Sequence, residues 1–245
     1  MLLDLVDRLA GPPGRAALRA WAGAGYVDGP LVRTPVRRVL VVCCAWLGDT
    51  LWDVQVLPAL EDALPEAEVH VATRRRGADL VAHLPPWRRH VVDHVPADRR
   101  RELVDLPALA REAGRLRRLD LDLVVDLTGN RYSALFTALT RPRAALGFDA
   151  APLGWAYTRR VCPPAGEHRA RRPWRVVAPL VGDRPATPPT LPPGLAAGPA
   201  PSAPYALLVP GAGWPGKRWP AARFAALAAR LVGAGLEVVV TGSAG

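Results

Sequence analysis

Val36–Ala45 is a continuous apolar run rich in β-branched residues, the pattern of a strand buried on both faces. Beyond it, runs of this kind alternate with segments of helical spacing. Leu51, Val54, Leu57 and Leu60 recur at helical intervals and predict a helix over residues 50–64. Further strands are predicted over 68–73, 90–95, 121–127 and 144–147, and further helices over 77–84, about 100–118, 132–139 and 168–181. Strands separated by helices predict a parallel sheet wrapped on both faces, a Rossmann-like α/β unit. Residues 2–22 read as one or two short amphipathic helices, interrupted by Gly11-Pro12-Pro13-Gly14.

The alternation stops after residue 182. Residues 183–204 are proline-rich and poor in large apolar side chains, as a linker is. It then restarts with a strand over 205–209, a glycine loop, a helix over 221–232, stop signals at Gly233 and Gly235, and a strand over 236–241. The expected organisation is a helical extension over 1–35, a Rossmann-like domain over 36–182, the linker over 183–204, and a second Rossmann-like domain over 205–245. A domain ordinarily needs about 100–150 residues, so this second one is expected to be incomplete.

Composition narrows the partners. The formal charge is +10, and arginines cluster at 74–76, 88–89, 99–101, 115–118, 159–160 and 169–172. Such a surface favours anionic partners, including acidic lipid headgroups and nucleotide sugars. The clusters are dispersed over many elements and accompany no nucleic-acid recognition motif, which argues against nucleic acid as the partner. Cys43, Cys44 and Cys162 show no metal-ligand or disulfide spacing. No apolar stretch reaches the roughly 18 residues that span a bilayer, and the N-terminus lacks the basic region of a secretory signal.

Candidate chemistry lies where strands end. Ligands of open α/β sheets sit outside the carboxyl ends of the strands, which puts Gly48 and Asp49 at the mouth of the sheet. Asp49 reads either as the N-cap of the next helix, worth about 0.5–2 kcal/mol, or as a general base, typically worth ~10²–10⁴ in rate. Spacing alone favours the cap. The single glycine is not the GxGxxG of dinucleotide binding, so a nicotinamide dehydrogenase is disfavoured. Asp126 and Asn130 flank a glycine turn at the end of the fourth strand and could bond a polyol. Asp120-Leu121-Asp122 has the form of a metal-gripping DxD but lies at the opposite end, where a charged strand entrance is the better reading. Lys217 is the one lysine among 32 Lys and Arg residues, in the turn Gly211-Ala212-Gly213-Trp214-Pro215-Gly216-Lys217-Arg218. Glycine-rich backbone amides, a lysine and a helix N-terminus together suit a phosphate.

These pieces, in this order, resemble glycosyltransferase family 9, whose best-known members are the ADP-heptose:lipopolysaccharide heptosyltransferases. The matching stretches are 39–60 with its Leu-Gly-Asp turn, 121–135, 146–149, and 210–242 with Gly-Lys-Arg-Trp-Pro. The resemblance implies a GT-B fold, two Rossmann-like domains facing one cleft, with 36–182 on the acceptor side and 205–245 as part of the nucleotide-sugar domain. It makes Asp49 the base of an inverting, metal-independent transfer, with capping as a compatible second role. Lys217 then contacts the donor phosphates, helped by Gly211, Gly213 and Arg218, while Gly48, Asp126 and Asn130 belong to the acceptor side. The implied donor is a nucleotide sugar, ADP-heptose or similar, with no other cofactor. The implied acceptor is a glycan or lipid-linked glycan, reached in the cytoplasm with peripheral contact at the inner face of an anionic membrane. Nothing in the chain matches the family's later Asp-x-Gly turn and His-Leu-Ala helix, so a C-terminally truncated member is expected: a fragment of a longer gene, a degenerate copy, or a chain whose missing half another polypeptide supplies. The competing expectation is a non-catalytic Rossmann-like module that binds an anionic glycan or nucleotide.

Overall fold

β1 (Arg38–Cys43) owes its place to the apolar run, because every residue after Arg38 is buried. In a strand successive side chains point to opposite faces. Val39, Val41 and Cys43 join one core cluster with Val54, Leu57, Leu60, Trp174 and Val177. Leu40 and Val42 join the other, with Leu109, Ala113, Leu116 and Phe136. The computed structural model describes residues 35–82, 88–96, 104–149, 153–186, 201–212 and 215–242. The helices expected over 2–22 and most of the expected linker lie outside the described residues.

β1 is the centre of a six-stranded, all-parallel sheet with β2 (Glu68–Thr73), β3 (Arg88–Val91), β4 (Leu123–Asp126), β5 (Ala144–Phe148) and β6 (Arg159–Val161). The strand order is β3-β2-β1-β4-β5-β6. The chain winds outward from β1 in one direction and then, from β4, in the other. The crevice at the carboxyl ends of β1 and β4 is therefore the switch point where such sheets hold ligands.

The segment read as one helix over 50–64 is two. α1 (Leu47–Asp53) gives way to a 3₁₀ turn (Val54–Val56) and then α2 (Leu57–Ala63). Pro58 supplies the reason: it has no N–H for the Val54 carbonyl and its ring crowds that carbonyl, so an unbroken helix would be costly. α3 (Arg75–Ala82) and α5 (Arg131–Thr140) follow the sequence pattern within a few residues, whereas α4 (Leu106–Arg117) begins later than the expected start near residue 100, because the Asp105 side chain accepts from the Ala108 amide and caps it there. The third strand lies two residues earlier than its apolar pattern, with Arg88 and Arg89 in the ladder and Val92 and Val95 buried in the turn after it. β6 has no apolar pattern at all, because as an edge strand it carries exposed Arg159 and Arg160. Charged edges of this kind discourage pairing with other chains. α6 (Arg172–Val181) carries Pro173 in its first turn and is preceded by a 3₁₀ turn, Arg169–Arg171, whose N-cap is His168.

The chain divides into two units, residues 1–195 and 196–245. The second contains a βαβ motif: β7 (Tyr205–Leu208) and β8 (Glu237–Val240) pair in parallel, with α7 (Ala221–Gly233) between them in sequence. Tyr205, Leu207, Val209, Trp219, Val232 and Val240 are exposed apolar residues of this unit. No described helix is long and apolar enough to cross a membrane.

Candidate active site

The turn after β1 is stitched to the turn after β4 at the switch point. The Cys44 amide donates to the Thr128 hydroxyl at 2.8 Å, and that hydroxyl donates to the Val42 carbonyl at 3.2 Å. Trp46 and Leu47 remain exposed at the mouth. Gly48, in the first turn of α1, is exposed, and a Cβ there would meet nothing within 4 Å. Packing therefore does not require glycine at this position.

Asp49 is not the N-cap. Trp46 occupies the cap, without a side-chain capping bond, and Asp49 is the third residue of the helix. Its carboxylate turns instead to Arg169, whose Nε lies 3.3 Å from Oδ1. The same guanidinium donates through Nη2 to Oδ1 of Asp53 at 2.7 Å. One cation thus joins a partly exposed carboxylate (37%) to a fully buried one (0%). Burial pushes the Asp53 carboxyl up to about 7, against the opposing pull of Arg169. Asp53 Oδ2 and Arg169 Nη1 are both buried without a hydrogen-bond partner among the described residues. Arg169 and Asp53 were not singled out from the sequence. They are 116 residues apart, and an arginine among many gives no signal of its own.

The second turn spends its polar atoms internally. Asp126 is fully buried; its Oδ1 accepts from the amides of Thr128 at 2.9 Å and Gly129 at 3.2 Å, and Oδ2 accepts from the Tyr157 hydroxyl at 2.6 Å. Burial still raises the Asp126 carboxyl above its ordinary value, and burial beside Asp126 raises the Tyr157 hydroxyl as well. Gly129 has φ +67°, where a side chain would be strained, and a Cβ there would run into the Phe148 ring. Asn130 caps α5: Oδ1 accepts from Tyr132 and Ser133, the Ser133 hydroxyl completes a capping box, and Nδ2 donates to the Pro96 carbonyl at 2.8 Å. Asp126 and Asn130 sit at the expected end of the sheet and shape the turn that borders the crevice.

At the amino ends of the strands, Asp122 accepts from the amides of Arg37 and Arg38 and pairs with Arg143 at 3.1 Å. The Asp120-Leu121-Asp122 motif is thus a charged strand entrance. Among the described residues, no group of three or more His, Cys, Asp and Glu could hold a metal ion.

In the second unit Lys217 ends a 3₁₀ turn, Pro215–Lys217, and is exposed. Arg218 ties the turn back on itself, its Nε donating to the Ala212 carbonyl at 2.9 Å. Gly211 is exposed with open space around it; Gly213 lies outside the described residues. Pro220 is the N-cap of α7, and it offers no capping side chain. The first amides of that helix therefore have no cap from this residue.

A parallel sheet in this order, with an acidic turn at its switch point, is a Rossmann-like α/β architecture. The model of glycosyltransferase family 9 (heptosyltransferase) matches residues 109–245, more than half of the chain, and the chain belongs to that family. The E. coli heptosyltransferase WaaC with ADP-2-deoxy-2-fluoro heptose superimposes with a TM-score of 0.64 at 20% identity, covering 84% of this chain and 69% of that one. A glycosyl transferase family 9 structure from Veillonella parvula DSM 2008 gives 0.66 at 19% identity, covering 88% and 64%. E. coli ADP-heptose lps heptosyltransferase II gives 0.60 at 19%, covering 84% and 65%. The fold is thus that of the GT-B-like heptosyltransferases, and the chain spans about two thirds of the length of these relatives. No curated protein matches it.

Proposed function

We propose that this protein transfers a heptose or similar sugar from a nucleotide-sugar donor to a glycan or lipid-linked glycan. Family membership supports the reaction class. The observation that carries the site is the Asp49 carboxylate, partly exposed at the switch point and tethered by Arg169 rather than spent as a helix cap. In this reading Asp49 accepts the proton of the acceptor hydroxyl as that oxygen attacks the anomeric carbon. The bond from that carbon to the diphosphate breaks on the opposite face, inverting the configuration. The nucleoside diphosphate leaves with the bonding electrons.

Lys217, Gly211, Gly213 and Arg218 are the proposed donor-phosphate contacts, and no metal takes part. An exposed lysine four residues before an uncapped helix supports this role, since helix N-termini and ammonium groups both stabilise phosphate charge. Solved relatives hold ADP and ADP-2-deoxy-2-fluoro heptose, which supports an adenosine diphosphate sugar as donor. Gly48, Asp126 and Asn130 belong to the acceptor side, where the two loops they build border the crevice. The net charge of +10 favours work in the cytoplasm against an anionic membrane face.

The test pairs turnover with binding. Incubated with ADP-heptose and lipopolysaccharide, the protein should release ADP, and Lys217→Ala should weaken ADP binding about 10- to 100-fold in calorimetry, as loss of a charged hydrogen bond does. Binding of ADP without any turnover would instead identify a non-catalytic nucleotide-binding module.

A further inference from the structure

Two acids and one arginine occupy the first turns behind the mouth of the sheet, and their contacts are unequal. Arg169 holds Asp53 at 2.7 Å inside the core and Asp49 at 3.3 Å near the surface. The shorter contact lies where water cannot screen it, so the guanidinium is anchored to Asp53 and reaches toward Asp49. The turn that carries Arg169 is itself fixed. His168 Nδ1 accepts from the Ala170 amide at 3.2 Å, the His168 ring meets Trp52 of α1 edge-on at 6.0 Å, and Ala170 is buried.

A lone arginine beside a general base would bind that base fully and blunt it. A second carboxylate that claims the cation leaves the base oriented but less neutralised. This accounts for a fully buried acid whose desolvation is otherwise a pure cost. We infer that Arg169 and Asp53 are positioning residues for Asp49: Asp53 anchors the guanidinium from within the core, and the guanidinium fixes the Asp49 carboxylate at the switch point. The inference rests on the reading of Asp49 as the base.

The charged and titratable groups acting on Asp53 are Asp49 from its own helix, Arg169 from the turn before α6, and Asp126 from the end of β4. Cys43, at the end of β1, also lies within their influence. Coupling between the two acids can be read without turnover. Carboxyl-carbon NMR titration of the full chain should show Asp53 titrating near pH 7, in line with the value to which burial pushes it. Asp49→Asn removes a neighbouring negative charge and should move that midpoint down; Arg169→Gln removes the cation and should move it up. Asp49 is partly exposed, so its variant folds even if the arginine variant does not. An Asp53 midpoint unchanged by Asp49→Asn overturns the inference.

With ADP-heptose as donor, Arg169→Gln should lower kcat roughly 10²-fold with little change in donor KM, as misplacement of a reacting group does. Arg169→Lys keeps the charge without the fork and should recover part of that loss. If Asp49→Asn is inactive while Arg169→Gln keeps the wild-type kcat, the supporting role alone is wrong. If Asp49→Asn transfers normally, the base assignment is what fails.

Discussion

Asp53 shows how a single residue can set a pH response. Its carboxyl sits at about 7 in the folded chain against an ordinary 3.8, so the folded state binds a proton that the unfolded state has already released. The contribution to stability is present in full below about 4 and is lost as pH rises through 7. Asp53→Asn removes that dependence. The unfolding free energy of the variant, measured by urea titration, should gain on the wild type by on the order of 4 kcal/mol between pH 4 and pH 8. A difference that stays constant with pH would show that Arg169 neutralises Asp53 throughout. Asp49 was legible in the sequence because its Leu-Gly-Asp turn ends an unmistakable strand. Asp53 and Arg169 were not, since their meaning comes from a contact that only the folded chain makes.

Elements were legible where burial wrote a pattern. β2 has the bounds its sequence predicts, and β1, β4 and β5 differ by a few residues at their ends. The edge strands fared worse, because β3 and β6 carry arginines that edges tolerate and a hydrophobic pattern cannot reveal. The break between α1 and α2 was readable in principle from Pro58, yet the regular spacing of leucines across it suggested one helix. Asn130 is the clearest case of local sequence fixing local structure. Its side chain serves two amides of α5 and the carbonyl of Pro96. Asn130→Ala should cost about 1–2 kcal/mol in chemical unfolding, the usual worth of a strong cap. No change in stability would mean that the capping box carries little of the helix start.

Across the whole molecule, the first unit carries two cores on the two faces of its sheet, one for each parity of β1. The second unit presents its lysine turn from a smaller βαβ motif with no buried helix residue. The alternation of strands and helices, the acidic turn and the lysine turn were readable in the sequence, because each is a local pattern. The lateral order of the strands was not, because it joins segments remote in sequence. The side-chain contacts that tether Asp49 were not, because they join residues remote in sequence. What binds these features into one account is the claim that Asp49 takes a proton during sugar transfer. The most direct measurement compares the rate of heptose transfer from ADP-heptose to lipopolysaccharide by the wild type and by Asp49→Asn, with the fold of both checked by circular dichroism. A loss on the order of 10²–10⁴-fold in kcat with the fold intact is the predicted result. Transfer by the variant at the wild-type rate would contradict it.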